Sequence, residues 1–266
     1  MASADKPTRI ALVTGAAQGI GKALALRLAK DGLVVAINDL PRMEEKLNAV
    51  AEEIRAFGKD TSIHFADVSS EEEVKNMING VVEKHGGLDV MIANAGICMM
   101  APFLETTTEI WDKTFAVNAR STFLCYKYAA EHMVKQGRGG RIIGASSFAG
   151  KSGVQHQSLT AYVGTKFAVR GLTQAAAGEL GKYGITVNAY APGLVDTELA
   201  QRYVDKHAKE YGMEPKQFAD AYYATVPVRH GGFPEDVAGL VSYLASEEAS
   251  FITGQTVSIN GGVFCD

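Results

Sequence analysis

Cysteine is scarce in this chain, with three among 266 residues, and the three lie far apart at Cys98, Cys125 and Cys265. An odd and scattered set fits neither a disulfide framework nor a zinc site, so we expect reduced thiols and no metal ion. Long apolar runs are also missing, since none reaches the roughly 18–20 residues that a membrane-spanning helix needs. The segment Met1–Pro7 lacks the apolar stretch of a secretion signal. We therefore expect no membrane partner and a cytoplasmic location.

A surplus of positive charge is absent too. The net charge is −4, and the lysines and arginines are dispersed along the chain, so nothing predicts a nucleic-acid partner. No repeat or low-complexity linker divides the sequence. A chain of this length can bury roughly 70–75% of its unfolded surface in one core. We expect a single domain over residues 1–266.

Apolar strand-like runs alternate with amphipathic helical patterns along the whole chain. The runs are Ile10–Val13, Leu33–Asn38, Thr61–Phe65, Leu88–Ala93, Arg141–Ala145, Ile185–Ala189 and Thr256–Ile259. This alternation predicts an α/β fold, in which a doubly wound parallel sheet carries helices on both faces and binds ligands where the strand order reverses. The charged helical stretch at about 198–228 departs from this rhythm, and we interpret it as a helical substrate lid. A plain pair of surface helices is the alternative.

A glycine-rich turn, Thr14–Gly21, lies between the first apolar run and a helical pattern that we expect from Gly19 to Lys30. Glycines allow a tight turn and leave room for a pyrophosphate at the helix N-terminus, where free N–H groups and the helix dipole favour anions. The order of strand, turn and helix is typical of a Rossmann-type dinucleotide-binding domain. The spacing Gly15-x-x-x-Gly19-x-Gly21 differs from the general fingerprint of that site.

Asp39 ends the second apolar run, at the distance of about twenty residues from the glycines that places a carboxylate on the ribose of a bound dinucleotide. Such a carboxylate accepts hydrogen bonds from the ribose diol and repels a 2′-phosphate. Gln18 stands in the turn where a basic residue would hold that phosphate. Arg42 lies close enough in the chain for its positive charge to favour the phosphate instead. We expect NAD as the cofactor in preference to NADP. Ordinary turn chemistry at Asp39 is the alternative.

Tyr162 and Lys166 are four residues apart within a segment that we expect to be helical over 161–179, so both side chains lie on one helix face. An ammonium about 4 Å from a phenol favours the tyrosinate by roughly 4 kcal/mol, enough to bring a tyrosine pKa from about 10 towards 7. Ser147 follows another apolar run, where open α/β sheets place ligands, and its hydroxyl can bond a carbonyl. Ser146 is its rival, because adjacent strand residues point to opposite faces. Together these residues predict hydride transfer.

In this order the motifs resemble the short-chain dehydrogenase/reductase family over nearly the whole chain. The shared markers are Thr14, Gly15, Gly19, Gly21, Asp67, Asn94-Ala-Gly96, Asn118, Ser147, Tyr162, Lys166 and Pro192-Gly193. The resemblance implies a catalytic tetrad of Asn118, Ser147, Tyr162 and Lys166. It also implies cofactor contacts from Gly15, Gln18, Gly19, Ile20, Gly21, Asp39, Asp67, Val68, Asn94, Gly96, Tyr162, Lys166, Pro192, Gly193, Val195 and Thr197.

The resemblance further assigns a role to each tetrad residue. Tyr162 exchanges a proton with the substrate oxygen, and Ser147 bonds the same oxygen. Lys166 holds the nicotinamide ribose and stabilises the tyrosinate. Asn118 interrupts a helix and retains a water that links Lys166 to solvent; a merely helix-distorting asparagine is the alternative.

Several segments resemble the acetoin reductases, also called 2,3-butanediol dehydrogenases. These segments are 166–174, 184–188, 241–246, 253–255 and the lid. The chain departs from that group at Phe148, in the loop 151–160 and at Leu199-Ala200, which allows a larger pocket. We expect acetoin, diacetyl or 2,3-butanediol as the small-molecule substrate. Its expected contacts are Ser147, Phe148, Gln155 and Tyr162.

Two other functions stay open at this point. One is a reductase of the same fold for a different carbonyl, such as a 3-oxoacyl thioester, a sugar or polyol, or a cyclic ketone. The other is a non-catalytic NAD-binding protein, against which the complete tetrad argues. Members of the family are commonly tetramers, and the apolar end Gly261–Phe264 is a candidate subunit interface, so we expect a homotetramer.

Overall fold

The computed structural model describes residues 8–154 and 157–265, and these form one α/β domain around a seven-stranded parallel sheet. The strand order is β3-β2-β1-β4-β5-β6-β7. The strands are β1 (Ile10–Thr14), β2 (Val34–Asp39), β3 (Thr61–Phe65), β4 (Val90–Ala93), β5 (Gly140–Ala145), β6 (Ile185–Pro192) and β7 (Thr256–Ile259). All seven predicted strands are present, and the predicted fold class is confirmed.

Helices cover both faces of this sheet. They are α1 (Gly19–Lys30), α2 (Glu44–Ala56), α3 (Glu71–His85), α4 (Thr108–Phe115), α5 (Ser121–Gln136), α6 (Thr160–Leu180), α7 (Glu198–Glu210), α8 (Pro215–Tyr223) and α9 (Pro234–Ala245). A π-helical turn, Ala116–Arg120, joins α4 to α5. Helix α1 has the predicted bounds, and α6 extends one residue beyond the prediction at each end.

Two apolar layers hold the sheet between the helices. Alternate residues of β1 enter opposite layers: Ala11 and Val13 belong to the layer with α1, α2 and α9, whereas Ile10 and Leu12 belong to the layer with α3 and α5. Because both faces are covered, the central strands β1 and β4 are almost entirely apolar, as expected of a buried parallel sheet.

Two strands begin later than the sequence indicates, and in both cases a hydrogen bond outside the sheet explains the shift. The N–H of Leu33 donates to the carbonyl oxygen of Leu28 and so closes the end of α1. The N–H of Leu88 donates to the side chain of Gln136 on α5. Apolar character alone cannot distinguish such buried connections from strand residues.

The chain direction across the sheet reverses between β1 and β4. From β1 the chain runs outward through β2 and β3, and then returns to β4 on the other side of β1. The loops at the carboxyl ends of β1 and β4 therefore separate and leave a cleft between them. Within the residues described, no helix is both long and apolar enough to cross a membrane.

Candidate active site

Tyr162 and Lys166 lie on the first two turns of α6, beside the carboxyl end of β5. The ammonium of Lys166 is 5.3 Å from the centroid of the Tyr162 ring and donates a hydrogen bond to the carbonyl oxygen of Ala145 at 2.7 Å. The hydroxyl of Ser147, two residues beyond β5, lies close enough to Tyr162 to oppose the rise in the pKa of its phenol. The structure therefore brings together the three residues on which the predicted chemistry depends.

Burial controls the ionisation of this pair. It raises the pKa of Tyr162 above its ordinary value, with a further contribution from Cys98 and an opposing one from the hydrogen bond with Ser147. Burial also lowers the pKa of Lys166 to about 8, against the raising effect of Cys98. The expected net lowering of the Tyr162 pKa is wrong for this arrangement, because burial penalises the tyrosinate more than neighbouring groups favour it, and the ammonium is bonded to Ala145.

The two neighbouring serines have different partners. The hydroxyl of Ser146 donates to the backbone carbonyl of Lys166 at 3.0 Å. Its proton is therefore engaged in a buried structural bond and not with a substrate. The hydroxyl of Ser147 accepts from the N–H of Ala149 at 3.1 Å and lies close enough to Tyr162 to affect the pKa of its phenol. The geometry therefore favours Ser147 over Ser146 as the hydroxyl next to the reacting oxygen.

The π-helical turn between α4 and α5 holds Asn118, so this residue does interrupt a helix. Its Oδ1 accepts from the N–H of Ile97 at 2.8 Å, and its Nδ2 donates to the carbonyl of Ile97 at 2.9 Å and to Thr165 Oγ1 at 3.2 Å. A Cβ added at Gly96 would lie 3.3 Å from Asn118 Oδ1 and 3.6 Å from the Lys166 ammonium. Asn118 thus anchors the loop after β4 beside Lys166. Its role in retaining a water that links Lys166 to solvent stays a prediction.

The glycine-rich turn forms a backbone cradle at the start of α1. Gly15 and Gly19 have φ values of 64° and 55°, which favour glycine. A Cβ at Gly21 would overlap the carbonyl oxygen of Gly15, and a Cβ at Gly19 would lie 3.2 Å from the methyl group of Thr197. The first N–H groups of α1 have no partner within the helix. This cradle fits the pyrophosphate of a dinucleotide, and Ile20 lies in the same turn.

Two carboxylates lie at the ends of neighbouring strands. The Asp39 carboxylate accepts from the N–H of Ala17 at 3.1 Å and from the N–H of Leu40 at 2.9 Å, which holds it beside the glycine turn. Asp67 lies two residues beyond β3, and its Oδ1 accepts from both the N–H and the hydroxyl of Ser69. Val68, between the latter two, is 6% exposed. Both carboxylates therefore lie at the edge of the cleft, where the sequence predicts binding of the adenosine half of a cofactor.

The predicted cofactor segment Pro192–Thr197 connects β6 to α7. The N–H of Gly193 donates to the carbonyl of Ile259 on β7 at 3.1 Å, and Val195 forms an isolated bridge with Gly232. Thr197 caps the N-terminus of α7, since its hydroxyl accepts from the N–H of Ala200 at 3.2 Å. This segment therefore lies between the glycine cradle and the helices α7 and α8.

The expected substrate contacts are only partly described. Phe148 begins a short 3₁₀ turn directly after Ser147. Gln155 lies outside the described residues. In the part of the chain that the structure covers, no three His, Cys, Asp or Glu side chains are grouped to hold a metal ion.

Comparison with known proteins agrees with this geometry. A family model described as enoyl-(acyl carrier protein) reductase matches residues 15–264. A short-chain dehydrogenase/reductase of Armillaria gallica is 50% identical over 258 residues, which cover 97% of each chain. The L-2,3-butanediol dehydrogenase of Corynebacterium glutamicum is 40% identical over 256 residues, covering 96% of this chain and 98% of that enzyme.

Solved structures have the same fold. An acetoin dehydrogenase of Salmonella typhimurium superimposes with a TM-score of 0.83 at 32% identity, covering 96% of this chain and 97% of that one. Levodione reductase superimposes with a TM-score of 0.90 at 30% identity, covering 97% and 98% of the two chains. The chain belongs to the short-chain dehydrogenase/reductase family. The predicted family is confirmed.

Membership of the short-chain dehydrogenase/reductase family makes the chain an oxidoreductase with a nicotinamide cofactor. The cradle, Asp39 and the Pro192–Thr197 segment are the residues that would hold this cofactor. Tyr162 and Ser147 lie where they can exchange a proton with an oxygen and stabilise its developing charge.

Sequence reasoning did not identify three residues near the short-chain dehydrogenase/reductase site, namely Lys46, Glu198 and Cys98. The Lys46 ammonium donates to Gln18 Oε1 at 2.6 Å and to Glu198 Oε1 at 2.9 Å, and Gln18 Nε2 donates to Glu198 Oε2 at 3.0 Å. Lys46 is 28 residues from Gln18 and 152 from Glu198, so no spacing connects them. The third residue is Cys98. Burial raises the pKa of its thiol to about 11, although the positive charge of Lys166 opposes the rise. Its position just after Asn94-Ala-Gly96 was the available signal.

Proposed function

We propose that this protein transfers a hydride between NAD(H) and a secondary alcohol or ketone, with Tyr162 as the acid/base. The observation that carries the proposal is the meeting of Tyr162, Ser147 and Lys166 at the carboxyl end of β5. The glycine cradle at the carboxyl end of the nearby strand β1 supplies the place for the dinucleotide. The experiment is an initial-rate assay that follows nicotinamide absorbance.

In ketone reduction, Ser147 and Tyr162 hydrogen-bond the carbonyl oxygen. When bound, the nicotinamide would supply the hydride for the carbonyl carbon in reduction and would accept it from the alcohol carbon in oxidation. Tyr162 then gives its phenolic proton to the oxygen as negative charge develops there. In alcohol oxidation the tyrosinate takes the proton from the hydroxyl. The hydroxyl of Ser147 stabilises the oxygen in both directions.

Lys166 and Asn118 support this proton transfer. An ammonium has three N–H donors, so the bond to Ala145 leaves two donors for the hydroxyls of a nicotinamide ribose. The positive charge also favours the tyrosinate form of Tyr162. We assign Asn118 to the path by which Lys166 exchanges protons with solvent, because it lies against Gly96 and Thr165 beside the ammonium.

NAD is the proposed cofactor in preference to NADP because Asp39 stands at the end of β2 beside the cradle. Its carboxylate accepts hydrogen bonds from a ribose diol and repels a 2′-phosphate. The further cofactor contacts are the predicted ones at Gly15, Gln18, Gly19, Ile20, Gly21, Asp67, Val68, Asn94, Gly96, Pro192, Gly193, Val195 and Thr197. Arg42 directly follows this region in a short 3₁₀ turn, and it is the residue that opposes the preference.

Helices α7 and α8 are proposed as a lid over the cleft. They pack on each other through aromatic rings, since the ring centroid of Phe218 on α8 lies 5.9 Å from that of His207 and 6.5 Å from that of Tyr203 on α7. At the start of α7, Glu198 is bonded to Gln18 of the glycine turn. A unit that is joined internally by apolar contacts and to the cradle by exposed polar contacts can move as one body when a ligand enters or leaves.

The proposed substrates are acetoin, diacetyl and 2,3-butanediol. The identity with the L-2,3-butanediol dehydrogenase over nearly the whole of both chains supports this choice, as does the similarity to the acetoin dehydrogenase. A bulkier cyclic ketone is the second candidate. It is favoured by Leu199, which is 39% exposed in the first turn of α7, by Ala200 beside it, and by the structural match to levodione reductase.

A homotetramer in the cytoplasm completes the proposal. Several large apolar side chains are exposed on the described surface, where a subunit interface would cover them. They are Phe103, Leu104, Trp111, Phe123, Phe167 and Phe251. The apolar end Gly261–Phe264 is the predicted contact. Light scattering coupled to gel filtration measures the mass directly, and a monomer of 28.3 kDa would contradict the proposal.

The decisive assay compares the four-carbon set of diacetyl, acetoin and the 2,3-butanediol stereoisomers with cyclic ketones, sugars and 3-oxo esters. Each is offered with NAD(H) and with NADP(H). Rapid NAD(H)-dependent turnover of the four-carbon set supports both the substrate and the Asp39 argument. Turnover of cyclic ketones alone would move the substrate to the second candidate. Turnover of no carbonyl at all, with intact dinucleotide binding, would contradict the catalytic proposal.

A further inference from the structure

Tyr190 is a buried tyrosine whose hydroxyl has a specific partner in the cofactor region. It lies on β6 and is 1% exposed. Its hydroxyl donates a hydrogen bond to Oδ1 of Asn94 at 2.8 Å, which satisfies the polar end of the ring in the interior. Asn94 directly follows β4, and β5 lies between β4 and β6. The Tyr190 side chain therefore reaches across a whole strand.

A small residue on β5 makes this reach possible. Ala145 is paired in register with Tyr190, and both side chains belong to the same apolar layer. Residues paired in a parallel sheet project to the same face, so the phenol ring passes over the methyl group of Ala145 on its way to Asn94. The hydrogen bond between Tyr190 and Asn94 therefore links β6 to the end of β4.

Asn94 uses its other amide atom to hold the glycine-rich turn. Its Nδ2 donates to the carbonyl oxygens of Thr14 at 2.8 Å and Gly15 at 3.2 Å. Its backbone N–H donates to the hydroxyl of Thr14 at 3.0 Å. A Cβ added at Gly21 would lie 2.5 Å from Asn94 Nδ2. The amide is therefore packed between the turn and the first residues of α1.

The hydroxyl of Tyr190 determines which way this amide points. The NH₂ group of an asparagine donates and its oxygen only accepts. With a hydroxyl donor on one side and two carbonyl oxygens on the other, one orientation satisfies all three bonds. The opposite orientation would place Oδ1 against the carbonyls of Thr14 and Gly15. Without the hydroxyl, Oδ1 of Asn94 would lose this donor, which weakens the preference for the correct orientation.

We propose that Tyr190 is a positioning residue for cofactor binding, which fixes the amide of Asn94 and through it the conformation of Thr14 and Gly15. This inference rests on the proposed dinucleotide site at the glycine cradle. The carbonyl of Gly15 lies against Gly21, so a change at the turn also moves the N-terminus of α1. The N–H groups that face a pyrophosphate are then displaced.

The test is the Tyr190→Phe variant, with Tyr126→Phe as its matched control. Tyr126 is also a buried tyrosine, at 4% exposure, and its hydroxyl is 3.0 Å from Thr173 Oγ1 in the other apolar layer. Each variant loses one internal hydroxyl contact, so we expect similar decreases in Tm, of about 2–4 °C. Only Tyr190→Phe is expected to weaken NADH binding, by roughly tenfold in Kd measured by NADH fluorescence.

Kinetics separate positioning from loss of active protein. We expect Tyr190→Phe to raise the KM for the cofactor and to leave kcat at saturating cofactor within about twofold. Asn94→Ala should weaken NADH binding at least as much, and Tyr190→Phe added to Asn94→Ala should cause no further loss, because Tyr190 acts through Asn94. If Tyr190→Phe does not fold, Asn94→Ala alone is decisive, since an unchanged Kd would overturn the proposal.

The outcomes distinguish this inference from the proposed function. A wild-type protein that binds neither NADH nor NADPH would overturn the proposed function and this inference with it. A wild-type protein that binds NADH, with Tyr190→Phe binding equally well, would overturn the inference alone. The same result follows if Tyr126→Phe weakens binding as much as Tyr190→Phe does, because the effect would then belong to general destabilisation.

Discussion

The ammonium of Lys166 lies beside the ring of Tyr162, 5.3 Å from its centroid, and is hydrogen-bonded to the carbonyl of Ala145. The two residues therefore share one site, but the cation contacts the ring and not the phenolic oxygen. Burial lowers the pKa of Lys166 to about 8 and raises that of Tyr162. Ionisation of Tyr162 thus depends on what else enters the site, because a ligand changes both the solvation and the position of the ammonium.

The first prediction concerns Tyr162→Phe. Phenylalanine retains the ring that packs beside Lys166 and removes only the ionisable hydroxyl. We expect kcat to fall by about 10²–10⁴-fold, the usual contribution of general acid–base catalysis, with the Kd for NADH nearly unchanged. Steady-state kinetics and NADH fluorescence measure the two effects. Activity close to that of the wild type would remove Tyr162 as the acid/base.

The second prediction compares Ser147→Ala with Ser146→Ala. Ser147 contacts Tyr162, whereas Ser146 donates to the backbone of Lys166. We expect Ser147→Ala to lower kcat by roughly 10–100-fold, because it removes one donor to the developing charge. Ser146→Ala should cost about 1 kcal/mol of unfolding free energy and affect kcat less. A larger loss of kcat in Ser146→Ala would reverse the assignment of the two serines.

How far the sequence predicts this protein depends on the range of the interaction. The glycine turn and the Tyr162–Lys166 pair are local patterns, so the sequence indicates the fold class and the tyrosine and lysine of the candidate site. The bond of Glu198 to Gln18 and that of Tyr190 to Asn94 join elements that are distant in the chain, and no spacing encodes them. The pKa of Tyr162 was predicted wrongly because burial is a property of the folded site, whereas the argument considered only one neighbouring charge.

The third prediction is a change of cofactor preference in Asp39→Asn. Two like charges about 6 Å apart repel by roughly 3 kcal/mol at an effective dielectric of about 20, so removing the carboxylate should raise kcat/KM for NADP(H) relative to NAD(H) by about tenfold or more. Asparagine retains an oxygen that can accept from Ala17 or Leu40. Arg42→Gln in the same background should reverse part of the gain. An unchanged ratio in Asp39→Asn would exclude the carboxylate as the discriminating group.

The fourth prediction concerns the lid. Lys46→Met removes the cation that is bonded to both Gln18 and Glu198. We expect NADH to dissociate about two- to fivefold faster at low salt, because an exposed ion pair contributes little, and expect the difference to vanish near 1 M salt, where charges are screened. Lys216→Met is the control, since Lys216 pairs with Asp220 inside α8. Stopped-flow displacement of NADH measures the rates. Equal rates for both variants would contradict a role of Lys46 in holding the lid closed.

The fifth prediction is a pH dependence of stability that arises at the sheet edge. On β3, His64 Nε2 is 2.8 Å from Ser62 Oγ, which is also 2.8 Å from His85 Nε2 on α3. Burial, with smaller contributions from the neighbouring charges of His85 and Lys84, lowers the pKa of His64 from 6.5 to about 4. The pKa of His85 is lowered as well, mainly by burial and against the attraction of Asp60. The folded chain therefore favours neutral imidazoles at this edge.

The sign follows from the direction of the shift. Because the pKa of His64 is lower in the folded chain than in the unfolded chain, protons bind preferentially to the unfolded chain. The stability linked to His64 is fully present above about pH 6.5 and decreases as the pH falls towards about 4. His64→Gln, which can still bond Ser62, should flatten this part of the curve of unfolding free energy against pH. The exposed His230 provides the control His230→Gln, and equal slopes for His64→Gln and the wild type in urea titrations would show that the acid sensitivity originates elsewhere.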